Sequence, residues 1–220
     1  MSTANTDLTP QLLLHAYAAG VFPMAESRMA AGVHWIDPLR RGVIPLEGFH
    51  ISRSLRRRML RGGFAVTIDT DLAGVVAGCA DRPETWINPT ILELTLALHR
   101  MGHAHSVELR DATGALTGGV YGVALGGAFF AESMFSRVTD ASKIALAFLI
   151  DRLRAGGFVL FDTQFTTPHL ARLGGREIAR DAYRRQLARA LRLPADFERQ
   201  GPVPTPQEVV QRNSQMSKRE

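Results

Sequence analysis

The chain has 220 residues, of which 45% are hydrophobic and 21% are charged, so it can bury one sizeable core or two small ones and is not a disordered protein. Its 26 basic and 21 acidic residues give a formal net charge of +5, which favours a polyanionic partner without identifying it. A single cysteine, Cys79, excludes a disulfide framework and a cysteine-based zinc site, and the sequence has neither a leader pattern nor a membrane-length apolar run, so we expect a cytoplasmic protein.

The N-terminal part predicts a helix followed by two short strands. The first seven residues look frayed. A helix is then expected to begin at Thr9-Pro10 and to end at Gly20. Residues 33–36 and 42–45 are apolar enough for short strands. We expect these elements to belong to a small N-terminal α/β domain.

A basic helix is predicted next, with Ser52 as its cap and Gly62-Gly63 as its end. Leu55 and Met59 lie one turn apart and would face the core. Acidic residues are absent between positions 47 and 69, so the arginines of this helix repel one another unless an anion approaches. Phosphate binding and a merely solvated face both fit this pattern. The arginines are Arg53, Arg56, Arg57, Arg58 and Arg61.

The rest of the chain predicts hairpin-linked strands, a helix and a returning strand, which together make an α+β mixed sheet. Strands are expected at residues 64–69, 104–110, 115–125, 128–135 and 158–164. Helices are expected through Cys79, from Asn88-Pro89 to Gly102, at 140–154 and at 181–191. The double glycine predicts a domain boundary, with residues 1–62 as the N-terminal domain, 63–194 as a catalytic domain and 195–220 as a loose polar tail.

Two carboxylates interrupt apolar predicted strands. Glu132 lies in the strand at 128–135 and Asp162 in the strand at 158–164. Carboxylates are rarely buried without a partner or a task. Because side chains alternate along a strand, Asp162 and Gln164 point to the same face and can act on one ligand together. The structural alternative is that either carboxylate pairs with Lys143 or a helix cap.

Other patterns that could carry chemistry are weak. The glycine-rich residues 118–127 match neither the dinucleotide fingerprint nor the lysine-containing phosphate loop, and they indicate close strand packing instead. The histidines show no convincing metal-ligand spacing. We therefore predict no metal site and no cofactor. The histidines concerned are His99, His103, His105 and His169.

Short motifs occur in a fixed order between residues 12 and 191. They are YAAGVFP (17–23), HWIDP (34–38), HISRSLR (50–56), TWI (85–87), LHRMGHAHSVE (98–108), GGVYG (118–122), ESMFS (132–136), ASK (141–143) and DTQ (162–164). Taken together, these motifs resemble the leucyl/phenylalanyl-tRNA–protein transferases. The resemblance implies a small N-terminal domain followed by a larger domain like those of the GNAT acyltransferases.

The resemblance also implies an activity. Such an enzyme moves leucine or phenylalanine, with methionine as a further candidate, from aminoacyl-tRNA to the α-amine of a protein that begins with Arg or Lys. This transfer marks the acceptor for N-end-rule degradation. The partners would be aminoacyl-tRNA and these acceptor proteins, without a membrane, and we expect a monomer. The ester is already activated, so no cofactor is required.

Residue roles follow from the same resemblance. Asp162 would accept hydrogen bonds from the acceptor amine or take its proton, and Gln164 would orient the amine or the ester carbonyl. Glu132 would order the site or hold the cationic acceptor terminus. Trp35 and Trp86 would lie near the terminal adenosine of the tRNA. The candidates for the side-chain pocket are Phe129, Met134, Leu146, Leu149 and Phe161, and those for acceptor-stem phosphates are Arg53, Arg56, Arg57 and Arg61.

Three residues depart from the family pattern and leave the shape of the pocket open. Met24 stands where many members have Trp, Thr163 where Cys is common, and Arg172 in place of a small residue. Two other classes fit parts of the sequence: an acyl-CoA-dependent N-acetyltransferase of similar topology and a non-catalytic RNA-binding module. The basic helix favours RNA over CoA, and the two carboxylates in apolar strands favour an enzyme over a module.

Overall fold

A computed structural model describes residues 8–216, so the predicted frayed segment and the last four residues lie outside the described residues. The helices are α1 (Pro10–Ala18), α2 (Arg53–Arg61), α3 (Leu72–Ala80), α4 (Pro89–Arg100), α5 (Ala141–Gly156), α6 (Pro168–Ala171), α7 (Arg180–Ala190) and α8 (Pro206–Met216). The strands are β1 (Phe22–Met24), β2 (His34–Ile36), β3 (Arg40–Val43), β4 (Ala65–Ile68), β5 (Ala104–Arg110), β6 (Leu116–Leu125), β7 (Ala128–Ser136), β8 (Leu160–Gln164) and β9 (Arg176–Ala179).

Side-chain caps explain why the predicted helices begin where they do. The hydroxyl of Thr9 accepts a hydrogen bond from the backbone N–H of Leu12 at 3.1 Å, and the amide oxygen of Asn88 accepts one from the N–H of Ile91 at 2.9 Å. Each cap satisfies a backbone donor that has no partner inside its helix. In α2, Leu55 and Met59 are buried, which confirms the predicted inner face of the basic helix.

Within residues 8–216, seven strands form one sheet in the order β4-β5-β6-β7-β8-β3-β9. Neighbouring strands are antiparallel except β7 and β8, which are parallel because α5 crosses between them. The predicted α+β mixed sheet is therefore confirmed. β1 and β2 form a separate two-stranded sheet.

Two apolar clusters cover opposite faces of the main sheet. The adjacent residues Phe129 and Phe130 on β7 enter different clusters, as alternation along a strand requires. One cluster contains α1, α3 and α4, and the other contains α2, α5 and α8. No helix among the described residues is long and apolar enough to cross a lipid bilayer.

The structure places β3 between β8 and β9, so a strand from before residue 62 completes the large sheet. The predicted division of the chain at residue 62 stays a prediction, because no independent boundary marks it. Neither β1 nor β9 was expected from the sequence, since each is only three or four residues long.

The prediction of a loose tail is wrong for residues 195–216. Residues Phe197–Gln200 form a 3-10 turn, and α8 packs against α2 and α5. Phe197, Val209 and Val210 are buried, and a few well-placed apolar side chains are enough to fix a polar segment on a core. The buried Asp151 of α5 adds an ion pair with Arg212 of α8 at 2.7 Å.

Candidate active site

The centre of the site is a buried ion pair between neighbouring strands. Asp162 on β8 accepts three hydrogen bonds from Arg41 on β3: Nε donates to Oδ1 at 2.9 Å and to Oδ2 at 3.1 Å, and Nη2 donates to Oδ2 at 2.7 Å. The exposed fractions of Asp162 and Arg41 are 0% and 1%. A pair so deeply buried requires good geometry on both sides, because each charge has lost its water.

Arg41 has its own fixed surroundings. Its Nη1 donates to the carbonyl oxygen of Gly20 at 3.0 Å. Its guanidinium lies between the rings of Phe22 and Tyr183, at 4.5 Å and 4.6 Å from their centroids. Sequence reasoning missed Arg41, since the predicted strand began one residue later. An arginine immediately before an apolar strand is the local signal that could have drawn attention to it.

The remaining acceptor positions of Asp162 are also occupied. The hydroxyl of Tyr183 donates to Oδ2 at 2.6 Å, and the backbone N–H of Gln164 donates to Oδ1 at 2.8 Å. Both carboxylate oxygens of Asp162 are therefore engaged by protein groups. This arrangement holds Asp162 in one position, and it turns no oxygen of Asp162 toward a ligand.

Gln164 joins Asp162 to the second carboxylate. Its side-chain Nε2 donates to Oε1 of Glu132 at 2.9 Å, and the same oxygen accepts from the hydroxyl of Tyr17 at 2.7 Å. The structure thus brings together the three residues predicted as catalytic, Glu132, Asp162 and Gln164. Lys143, the alternative partner predicted for a carboxylate, forms its ion pair with Asp140 instead.

The environment of Glu132 changes its acidity. Removal from water raises the pKa of Glu132 to about 7, hydrogen bonding from Tyr17 opposes that rise, and the nearby charge of Asp162 reinforces it. A carboxyl group with this pKa is partly ionised at neutral pH and can both accept and release a proton there. Glu132 is therefore suited to proton transfer.

The backbone at Gln164 is bent in a rare conformation. Its φ of 63° lies in the left-handed region, which costs a non-glycine residue about 1–3 kcal/mol. Gly42 on β3 pairs with Gln164, and a Cβ at Gly42 would lie 2.5 Å from the carbonyl carbon of Phe165. The bend that directs Gln164 toward Glu132 therefore needs glycine on the neighbouring strand.

A small cavity of about 90 Å³ lies beside this network. Glu132 lines it together with three of the residues predicted for the side-chain pocket, Met134, Leu146 and Phe161. Thr163 lines it too, and its hydroxyl is buried without a hydrogen-bond partner among the described residues. We call this cavity the slot; its full lining is Val120, Ala131, Glu132, Ser133, Met134, Leu146, Phe161, Thr163 and Leu170.

Two predicted pocket residues do not line the slot. Phe129 lies beneath it, with its ring stacked on Phe161 at 5.9 Å and on Phe197 at 6.0 Å between centroids. Leu149 is buried in the same core cluster. A direct contact of Phe129 or Leu149 with a bound side chain therefore stays a prediction, since neither residue lines the slot as the structure has it.

The two tryptophans lie in neighbouring segments. Trp35 is on β2, opposite Pro23 of β1, and 41% of it is exposed. Trp86 lies in the loop between α3 and α4 and is half-buried, and its carbonyl oxygen accepts a hydrogen bond from the N–H of Ala25 at 3.2 Å. The small β1–β2 sheet and the loop that carries Trp86 are thereby joined.

The predicted tRNA-binding arginines of α2 are all exposed, and none forms an ion pair with another residue in the part of the chain from 8 to 216. Arg58 differs from them, since it donates to the carbonyl oxygen of Gly62 at 2.8 Å and lies over the ring of Phe64. The face is therefore open to an anion. The exposed arginines are Arg53, Arg56, Arg57 and Arg61.

A cluster that could hold a metal ion lies elsewhere. Asp69, His105 and Glu198 each offer one ligand atom within 4.8 Å of the others. Hydrogen bonds explain the position of two of these side chains, because Asp69 Oδ2 lies 2.7 Å from His105 Nδ1, and Oδ1 of Asp69 accepts from the N–H of Ser106. The prediction that the chain has no metal site stays a prediction.

Known proteins match both parts of the chain. The family model described as leucyl/phenylalanyl-tRNA protein transferase matches residues 43–188, and the model of that family's N-terminal domain matches residues 6–39. The leucyl/phenylalanyl-tRNA–protein transferase of Cereibacter sphaeroides is 64% identical over 210 residues, which are 96% of this chain and 98% of that protein. The protein of the same name from Ruegeria pomeroyi is also 64% identical over 210 residues, with coverages of 96% and 99%.

Among solved structures, FemX has a similar fold. The two structures have a TM-score of 0.51 at 11% sequence identity, and the match covers 76% of this chain and 66% of that chain. Identity this low shows the fold alone. The likeness agrees with the predicted GNAT-like acyltransferase fold.

Proposed function

The chain belongs to the leucyl/phenylalanyl-tRNA–protein transferase family and is an enzyme that moves an aminoacyl group from tRNA to protein, and from this premise we propose its substrates and residue roles. The donor carries leucine or phenylalanine, with methionine as a further candidate. The acceptor is the N-terminal α-amine of a protein that begins with Arg or Lys. The product is marked for N-end-rule degradation in the cytoplasm, and the enzyme works as a monomer.

One observation carries the proposal: the slot is mainly apolar and has Glu132, which accepts a hydrogen bond from Gln164, in its lining. Met134, Leu146 and Phe161 suit an aliphatic or aromatic side chain, and the flexible Met134 can adapt to both shapes. Glu132 suits the cationic end of the acceptor. The slot therefore offers one surface for each of the two reacting molecules.

The reaction needs one proton acceptor. The amine nitrogen attacks the ester carbonyl carbon, the bond from that carbon to the ribose oxygen breaks, the amine loses a proton and the ribose oxygen gains one. An α-amine has a pKa of about 7.7–8.0, so a carboxylate whose pKa is about 7 is matched to it. We assign the proton transfer to Glu132, because both oxygens of Asp162 are engaged by Arg41, Tyr183 and the backbone.

Asp162 and Arg41 then act as positioning residues. Arg41 fixes Asp162, and Asp162 accepts the backbone N–H of Gln164 in its left-handed bend. The bend in turn directs the side chain of Gln164 to Glu132. This chain of contacts aligns the polar edge of the slot before substrate arrives, which is where a transferase of activated esters gains most of its rate.

The tRNA itself is held outside the slot. We assign Trp35 and Trp86 to the terminal adenosine, where stacking on a base is worth about 1–3 kcal/mol. The exposed arginines of α2 bind the phosphates of the acceptor stem, and such contacts position the RNA without reading its sequence. Specificity then resides in the aminoacyl group more than in the tRNA body.

A transfer assay tests the proposal. Labelled phenylalanyl-tRNA is incubated with a peptide that begins with Arg, with the same peptide acetylated at its N-terminus, and with a peptide that begins with Asp. We expect label on the first peptide only. Label moved equally to the acetylated peptide, or acetyl transfer from labelled acetyl-CoA in place of phenylalanine, would refute the assignment.

A further inference from the structure

A second cavity, of about 370 Å³, lies next to the slot. Met134 lines both cavities. The two are also adjacent along the chain at Ser142 and Leu146, one turn apart on α5, and at His169 and Leu170, which are consecutive. We call this second cavity the mouth cleft.

The mouth cleft is positively charged. Arg82 and Arg137 line it, and Lys143 lies close by on α5. The acidic groups nearby are Asp81, in the lining, and Asp140, which pairs with Lys143.

The pKa of His169, which lines the mouth cleft, depends on the charges around it. Burial lowers the pKa of His169, and the charges of Lys143 and Arg172 lower it further, against the opposing effect of Asp140. Burial alone would disfavour an anion as well, so only the effect of the charges of Lys143 and Arg172 indicates that this place attracts one.

The two arginines have donors to spare. Arg82 donates one Nη2 hydrogen bond to the carbonyl oxygen of Met134, and Arg137 donates to that of Leu116 at 3.3 Å while lying over the ring of Phe135. Neither forms an ion pair among residues 8–216. Each guanidinium has five N–H donors, so both are anchored at one end and available to an anion at the other.

We propose that the mouth cleft binds the phosphodiester that joins the terminal adenosine of the tRNA to the preceding nucleotide, with Arg82 and Arg137 as its ligands. This inference rests on the proposed function. An amino acid held in the slot is esterified to the ribose of that adenosine, and the phosphate on the other side of the same sugar must lie just outside. The mouth cleft is the cationic surface at that place.

The loop between α3 and α4 supports this placement. Arg82 and Trp86 both belong to this loop, so one segment would hold the terminal base and its phosphate together. Guanidinium groups bind phosphate oxygens with strong charge-assisted hydrogen bonds.

The charge of the mouth cleft also separates the two substrates. An acceptor that begins with Arg or Lys carries positive charge on its first side chain and its amine, so Arg82 and Arg137 repel it. Glu132, on the polar edge of the slot, attracts it. The tRNA end and the acceptor therefore reach the ester from different sides.

Binding of two unreactive analogues tests the inference. One is adenosine with phenylalanine in amide linkage at its 3′ position, and the other is the same nucleoside with cytidine joined through a 5′ phosphodiester. We expect the enzyme to bind the second analogue more tightly. Arg137→Gln, alone or with Arg82→Gln, should reduce the ratio of the two affinities by roughly tenfold or more. Binding of the phosphate-free analogue should change less than about twofold.

Arg100→Gln is the matched control, because Arg100 is an exposed arginine at the end of α4 that does not line the mouth cleft. It should leave the preference unchanged. No preference in the unsubstituted enzyme, a preference that survives in the double variant, or an equal loss for both analogues would each overturn the inference. The transfer assay with whole tRNA tests the proposed function separately, so failure of one is distinguishable from failure of the other.

Discussion

Arg41 and Asp162 are 121 residues apart in the chain, yet they form an ion pair with three hydrogen bonds and almost no exposure to solvent. The pair joins β3 to β8 at the point where the chain turns toward Glu132. Its geometry explains how both charged side chains can be buried between the two strands. The stability of the fold and the alignment of the site thus depend on the same contact.

Replacement of Asp162 by Asn should destabilise the protein strongly. It leaves the charge of Arg41 buried without its partner, and breaking one side of a buried pair costs about 3–5 kcal/mol. Glu177→Gln is the matched control, since Arg40 on β3 and Glu177 on β9 form an exposed ion pair. This variant should lose less than about 1 kcal/mol of the free energy of unfolding. Urea unfolding of both variants measures the free energies; similar losses would show that burial of the pair does not matter.

Replacement of Glu132 by Gln should change the pH dependence of transfer. With its pKa raised to about 7, Glu132 must lose its proton to act as an acceptor, so kcat/KM of the unsubstituted enzyme rises with pH through 7. In the Gln variant kcat/KM should fall by about 10²–10⁴, and its remaining pH dependence should follow the acceptor amine at about 7.7–8.0. If the pH profile of kcat/KM for the Gln variant keeps an inflection near pH 7, another group accepts the proton.

Substitutions in the slot and at the proposed adenosine site should affect the use of the two aminoacyl-tRNA donors differently. Met134→Ala enlarges the slot and should alter the ratio of kcat/KM for leucyl-tRNA and phenylalanyl-tRNA. Trp86→Ala should weaken the binding of both aminoacyl-tRNAs to the same extent, by about 1–3 kcal/mol. Steady-state rates with each donor separate the two effects, and the reverse pattern would reject the assignment of the slot.

Neutralising Arg53, Arg57 and Arg61 together should weaken tRNA binding and its salt dependence. For each phosphate that the variant no longer binds, the slope of log K against log salt should become shallower by roughly 0.7–0.9. The measurement is a titration of tRNA at several salt concentrations. Unchanged affinity and slope would mean that this face of α2 is only solvated surface.

The sequence predicted those parts of the fold that are encoded locally. Residues 104–110 form β5 as expected, and the caps Thr9, Ser52 and Asn88 begin their helices. A cap acts within its own first turn, so neighbouring residues are enough to identify it.

Long-range contacts were beyond such reasoning. The role of Arg41 depends on partners in β8 and α7, and its strand reads locally as a charged surface segment. Phe129 and Phe161 are both apolar and stacked on one another, but only Phe161 reaches the slot. Whether Phe129 or Phe161 reaches the slot depends on how all the surrounding core side chains pack. The helix α8 was missed because its burial rests on a handful of apolar residues.

The insertion of β3 between β8 and β9 has a consequence during protein synthesis. Arg41 emerges from the ribosome long before Asp162 and Tyr183 have been made, and until then the groove that it later fills does not exist. A partly translated chain therefore cannot assemble the machinery for transfer, even though charged tRNAs surround it at that moment. The site can therefore form only after the ribosome has made the chain at least as far as Tyr183.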